Sequence, residues 1–284
     1  MEYNTSWASP SNIALVKYWG KKPERVQLPA NSSISFTLSH CKTITHLKYK
    51  EAPELTIKLT LDEKDEPSFI PKIEQFLKRI SHVFPFVNSG EYEVNTTNSF
   101  PHSSGIASSA SGMSALALCI CDIANKKGLL DSKDFFQTAS ILSRLGSGSA
   151  SRSVFGPLSV WGEHSDFDGS SDEFAIPYTN ASKIFNNYCD TILLVHKGQK
   201  SVSSSVGHNL VDNHPFSNAR FRQASQNMSE IKSALESADI DRFITIIESE
   251  ALSLHSLMMS SNPYFILMKP NTLNIINAIW EKRR

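Results

Sequence analysis

Polar and apolar positions alternate over Ile34–Leu38, Thr43–Lys50 and Leu55–Leu61, where β-branched residues interleave with polar ones as half-buried strands require. Pro53 separates the last two runs. The period lengthens at about Ser68–Val83, where Ile73, Phe76, Leu77 and Ile80 share one face and predict an amphipathic helix. A longer helix opens at a loop of small residues, carries Met113, Leu116, Ala117 and Ile120, and is expected to end near Ala124 in the centre of the core. Another begins at Asp131, places Phe135, Phe136, Ala139 and Leu142 at helical spacing, and stops at Gly146. Beyond Pro157–Trp161 the stretch Gly162–Asn180 is polar and aperiodic, and Asp190–His196 then reads as a buried strand, where a change of domain is expected. From about Ser217 the pattern is helical to the end. It runs through Phe221, Met228, Ile231 and Leu235, then Phe243, Ile247, Leu254 and Met258, then Leu273, Ile276 and Trp280. The last helix reaches Glu281-Lys-Arg-Arg284 without a C-cap.

A chain of 284 residues can bury a large core and accommodates one large or two modest domains. Hydrophobic content of 40% against 20% charged residues excludes wholesale disorder. Lys+Arg 28 against Asp+Glu 28 gives no electrostatic case for nucleic acid or an anionic membrane, so any basic site must be local. No apolar run has the length of a membrane span, and the first thirty residues carry Trp7, Lys17, Lys21, Lys22 and Arg25 instead of a signal sequence's apolar centre. A cytoplasmic protein is expected. Cys41, Cys119, Cys121 and Cys189 form no CxxC pair and read as reduced, mostly buried thiols. No His, Cys and carboxylate spacing argues for zinc, and His46, His82 and His196 read as structural.

The chemistry concentrates in three segments. Phe100-Pro-His-Ser-Ser-Gly-Ile-Ala-Ser-Ser-Ala-Ser-Gly112 joins small residues to a helix start, whose uncovered N–H groups and dipole favour an anion such as phosphate. It lacks a Walker A lysine and the spacing of a dinucleotide fingerprint. The others are Asn12-Ile-Ala-Leu-Val-Lys-Tyr-Trp-Gly-Lys21, with Pro29-Ala-Asn-Ser-Ser-Ile-Ser-Phe-Thr37 after it, and Arg144-Leu-Gly-Ser-Gly-Ser-Ala-Ser-Arg-Ser153. In this order they resemble the signature segments of the diphosphomevalonate decarboxylase family, a branch of the GHMP small-molecule kinases. Gly105-Ile-Ala-Ser-Ser-Ala110 stands where kinases of the wider family usually read GLGSSA, and this points to the decarboxylase branch.

The resemblance implies an α+β protein of the GHMP kinase fold. A ribosomal-protein-S5-like α/β domain over residues 1–185 would bind ATP and substrate, and residues 186–284 would form a ferredoxin-like α+β domain, truncated, with the active site between them. The implied reaction is ATP- and Mg2+-dependent phosphorylation of the 3-hydroxyl of mevalonate 5-diphosphate, followed by loss of phosphate and carbon dioxide. A homodimer is also implied. Such a site must hold two polyphosphates, fix a carboxylate and align a hydroxyl with the γ-phosphate. His102, Ser103, Ser104, Gly105, Ile106, Ala107, Ser108 and Ser109 would cradle the nucleotide, with Ser109 also at the metal. Lys17 and Lys21 would neutralise phosphate charge, Tyr18 would donate a hydrogen bond and Trp19 would wall the site. Arg152 suits the departing carboxylate, with Ser147 and Ser149 beside it. Lys200 and Ser203–Ser205, Ser204 in particular, resemble the second domain's substrate loop, and Ser151 stands where the family commonly has Cys.

One departure stands out. The family's Thr-x-Asp-Ala-Gly-Pro-Asn-like turn, carrying the Asp that orients or deprotonates the hydroxyl, has no counterpart, and family order places it beyond Arg284. Three readings follow: the decarboxylase; a related GHMP kinase or a monophosphate decarboxylase; and a catalytically inactive nucleotide-binding relative.

Overall fold

The computed structural model describes residues 1–22, 27–101, 105–195, 207–208, 210–211 and 214–284. Among the described residues seven strands make one mixed sheet: β1 (Glu2–Val16), β2 (Ser33–Lys50), β3 (Leu55–Leu61), β4 (Lys64–Asp65), β5 (Gly90–Asn98), β6 (Leu158–Trp161) and β7 (Ala175–Pro177). β2 is its spine. One edge pairs with β1 along almost its whole length, while the other pairs with β6 over Ser33–Phe36 and with β5 over Thr43–Lys50. The two short strands expected over Ile34–Leu38 and Thr43–Lys50 are therefore one, because β1 bridges the interval across a register shift at Pro10/Ser11. Beyond β5 lie β3, in parallel, and β4.

The helices with described bounds are α1 (Ile70–Ile80), α2 (Ser108–Lys126), α3 (Phe135–Gly146), α4 (Ser217–Ser237), α5 (Ile240–Ser260) and α6 (Pro270–Arg283). α2 is covered on nearly every side by β1, β2, α3 and the 3-10 helix Gly148–Val154. Cys119 and Cys121 both lie inside for this reason, although they project differently; Cys41 is half-buried and Cys189 exposed, so only part of the buried-thiol expectation holds. A second core joins the halves of the chain. Leu15, Val16, Ile34, Leu158 and Val160 meet Met228, Ile231 and Leu235 of α4 and Phe243 of α5, each side chain contributing roughly 1.5–3 kcal/mol by leaving water.

Two expectations are corrected. Asp190–Val195, the described part of the run expected as a buried strand, is not a strand, and Leu193 and Leu194 are 57% and 45% exposed. An apolar run becomes a strand only where a sheet edge takes its N–H and C=O groups, and none of the seven strands pairs with it. His46 and His82 are exposed rather than structural, His46 because it faces outward in the alternation of β2. Among the described residues no helix is long and apolar enough to cross a membrane.

Candidate active site

Gly146 ends α3, and the chain tightens into the 3-10 helix Gly148–Val154, which drives Arg152 inward until it is 3% exposed. Its guanidinium is held on two sides. Nε and Nη2 donate to Asn12 Oδ1 at 3.3 and 3.2 Å, and Nη1 donates to Ser33 Oγ. Asn12 is fixed in turn, since its Nδ2 donates to Ser153 Oγ at 2.7 Å and to the Ser149 carbonyl at 3.1 Å. Trp161 lies 5.9 Å below the guanidinium carbon. Among the described residues no carboxylate pairs with this cation, and burial pulls its pKa down to about 10, so it stays charged at neutral pH. A buried, preoriented and uncompensated guanidinium is a receptor for a carboxylate or phosphate.

The segment leaving β1 forms the adjoining wall. Lys17 is half-buried, its N–H donating to Glu250 Oε2 at 2.8 Å and its ammonium to the Ala14 carbonyl at 2.7 Å. Burial lowers its pKa, and Glu250 opposes that fall. Tyr18 is buried between Trp161 and His208, with ring centroids 4.6 and 4.4 Å away, and Trp19 stacks on the other side of His208 at 4.6 Å. His208 accepts the Gly20 N–H on Nδ1 at 3.2 Å, which leaves its proton on Nε2; burial depresses its pKa to about 3 and keeps it neutral. The indole N–H of Trp19 is buried without a partner among the described residues and is free for a ligand. Ser147 and Ser149 are half-buried on the same turn as Arg152.

The nucleotide loop reaches α2 through Gly105 at φ +92° and Ala107 at φ +51°, and no side chain caps the helix. The first-turn N–H groups at Ser108 and Ser109 thus remain available to an anion. They open on a cavity of about 400 Å³ whose apolar wall includes Leu59, Leu61, Phe69, Ile73 and Met113. Lys72 of α1 lines its mouth and donates to Ser109 Oγ. Ser11 Oγ donates to the Ile106 carbonyl while the next residue, Asn12, holds Arg152, so adjacent positions on β1 tie the loop to the arginine turn. Among the described residues no group of three His, Cys, Asp or Glu side chains is placed to hold a metal ion.

The structure thus brings Lys17, Tyr18, Ser147, Ser149 and Arg152 to one region, with Trp19 and Lys21 beside them, and sets Gly105–Ser109 next to it through β1. His102, Ser103, Ser104, His196, Lys200 and Ser203–Ser205, including Ser204, lie outside the described residues. Sequence reasoning missed Lys72, His208, Arg220 and Glu250, which carry no local motif, and gave Asn12 and Ser33 no role although both lie in the quoted segments.

Residues 9–175 match the family model described as the diphosphomevalonate decarboxylase-like N-terminal domain. The diphosphomevalonate decarboxylase of Ganoderma lucidum is 28% identical over 296 residues, a match spanning 99% of this chain and 72% of the relative. The mevalonate diphosphate decarboxylase structure from Staphylococcus aureus, 27% identical, superposes with a TM-score of 0.84 over 100% of this chain and 82% of its own. A structure designated MDDEF in complex with MVAPP, AMPPCP and magnesium, 28% identical, does so at 0.82 over 100% and 83%.

Proposed function

The chain belongs to the diphosphomevalonate decarboxylase family, and from that premise we propose that it uses ATP to phosphorylate the 3-hydroxyl of mevalonate 5-diphosphate and releases phosphate and carbon dioxide to give isopentenyl diphosphate. The observation that carries this reading is Arg152, a buried guanidinium held in register by Asn12 and Ser33 with no acid among the described residues to neutralise it. When the C–C bond breaks, its electron pair forms the new double bond and expels phosphate, so negative charge flows away from the carboxylate. Arg152 therefore contributes by holding the carboxylate in register, and cations near the departing phosphate, Lys17 and Lys21, stabilise the charge that develops. Tyr18 and Trp19 exclude water, while Ser147 and Ser149 offer hydrogen bonds to the substrate's oxygens.

ATP fits the cavity beside α2: its base against the apolar wall, its phosphates at the uncapped helix start, near Lys72 and Ser109. ATP supplies the phosphoryl group and Mg2+ screens the phosphate charge, with most of its ligands coming from phosphate and water. The resemblance gives Ser109 to the metal; its Oγ accepts from Lys72, so a cation there would share the hydroxyl with the Lys72 ammonium. Glu250 is not the proton acceptor for the hydroxyl, because all its lone pairs are engaged. We further propose the division into residues 1–185 and 186–284, a homodimer and a cytoplasmic location, all on the family resemblance.

The test follows ADP and carbon dioxide together, with ATP and either mevalonate 5-diphosphate or its 5-monophosphate. ADP and carbon dioxide are expected in equal amounts, with kcat/KM for the diphosphate at least about tenfold higher. ADP without carbon dioxide means a kinase, and neither product means an inactive relative. A second expectation concerns Gly105. Among the described residues none beyond its chain neighbours lies within 4 Å of a Cβ placed there, so Gly105→Val meets no clash with them, but its φ of +92° is one that branched residues rarely adopt. The loop must rearrange at a cost of roughly 1–3 kcal/mol. Calorimetry should show ATP affinity falling about tenfold, with the protein still folded and Tm lowered by roughly 2–4 °C for each kcal/mol.

A further inference from the structure

Glu250 sits in the middle of α5 and is 0% exposed. Its four hydrogen bonds come from three residues in two parts of the fold, helix α4 and the segment leaving β1. Oε1 accepts from Arg220 Nη1 at 2.8 Å and Asn227 Nδ2 at 2.6 Å, both on α4, and Oε2 accepts from Arg220 Nη2 and from the Lys17 N–H at 2.8 Å. Lys17 needs such a partner. It is the first residue past β1, beyond a register shift at Ala14/Val16, so no neighbouring strand takes its N–H.

A buried ion pair recovers its desolvation cost only with saturating hydrogen bonds, and replacing it with apolar groups is often stabilising. Helices α4 and α5 already bury Met228, Ile231, Leu235 and Phe243 against the sheet, so they have an apolar means of docking. The charges reach past that core to one backbone amide at the substrate wall. We propose that Glu250, clasped by Arg220, is a positioning residue that fixes the Lys17 backbone, and with it the lysine side chain, at the substrate site for the anionic substrate. This rests on the proposed function only in naming the substrate.

The groups facing Lys17 are Glu250 and His255 from α5, Arg220 from α4, Arg152 from the 3-10 turn, and Asp190. The carboxylates favour its ammonium and the arginines oppose it, Glu250 having the strongest influence among them. Substitutions on the two sides of the pair must therefore move Lys17 in opposite directions, which a merely structural role does not require.

The experiment uses the full chain with lysine labelled at Cε, the Lys17 resonance being identified by its loss in Lys17→Arg. Glu250→Gln should shift the Lys17 titration to lower pH and weaken mevalonate 5-diphosphate binding at least about tenfold by calorimetry. Arg220→Met should shift it to higher pH. If either single variant fails to fold, the double variant Arg220→Met/Glu250→Gln leaves neither charge buried alone, and it should shift the titration downward because Glu250 outweighs Arg220. A Lys17 titration that stays put, or moves the same way in both single variants, overturns the proposal. If the two single variants show the opposite shifts yet the wild-type chain never binds mevalonate 5-diphosphate, the link to Lys17 stands and the substrate assignment fails.

Discussion

Replacing Arg152 with lysine is expected to lower kcat/KM for mevalonate 5-diphosphate by at least about a hundredfold, or ~2.7 kcal/mol of transition-state stabilisation. The charge survives this change, so the loss isolates geometry. Arg152 presents Nε and Nη2 to Asn12 and Nη1 to Ser33, an arrangement that aims the planar fork before any ligand arrives. One ammonium cannot bind Asn12, Ser33 and both oxygens of a carboxylate together, because its donors radiate from a single atom on a flexible stem. Asn12 Oδ1 and Ser33 Oγ would also lose their donor in a buried site, which adds a desolvation cost to the misalignment. ATP affinity, measured in the same variant, should change by no more than about threefold, since Arg152 makes no contact with Gly105–Ser109 and couples to the loop only through neighbouring β1 residues. Steady-state kinetics decides the matter. Near wild-type turnover in Arg152→Lys would remove the guanidinium fork from the mechanism.

The legible parts of this protein were those whose pattern is local. Leu55–Leu61 is a strand with the expected bounds, and the face Ile73, Phe76, Leu77 and Ile80 of α1 is the buried one. β1 was not legible. Its centre, Ser9-Pro-Ser-Asn12, holds polar residues that look like a loop, yet Ser9, Ser11 and Asn12 are buried because the arginine turn and the nucleotide loop supply their partners. Polar residues with distant partners defeat any reading based on periodicity. β5 was legible in principle, for Tyr92 and Val94 alternate with Glu91 and Glu93 as a half-buried strand requires. At the site, Arg152 was found because its neighbours in sequence form a motif, whereas His208 and Glu250 join it only through the fold, and Ser33, though inside a quoted segment, shows its partner only there. The distances in sequence explain this: Glu250 binds an amide 233 residues away, and Ser33 meets Arg152 across 119. No spacing rule spans such intervals.

The second large effect is expected at Gly148, where the arginine turn passes over the aromatic wall. A Cβ at this position would stand 2.8 Å from Tyr18 Oη and 3.0 Å from Trp161 Cη2. Trp161 cannot yield, because it is fully buried in β6 and its indole N–H donates to the Asp172 carbonyl at 2.8 Å. Tyr18 must move instead, and His208 stacks on it from the other direction. Gly148→Ala therefore overpacks the wall at a cost of about 1–3 kcal/mol, which lowers Tm by roughly 2–4 °C for each kcal/mol. It also displaces the residue next to Lys17, so kcat/KM for mevalonate 5-diphosphate should fall at least about tenfold. A double-mutant cycle with Tyr18→Phe identifies the cause, since removing the hydroxyl removes the closest contact. The two substitutions together should destabilise less than the sum of each alone, by at least about 0.5 kcal/mol. Additive losses would show that the turn and the tyrosine are not in contact, and the aromatic wall would then owe nothing to the glycine.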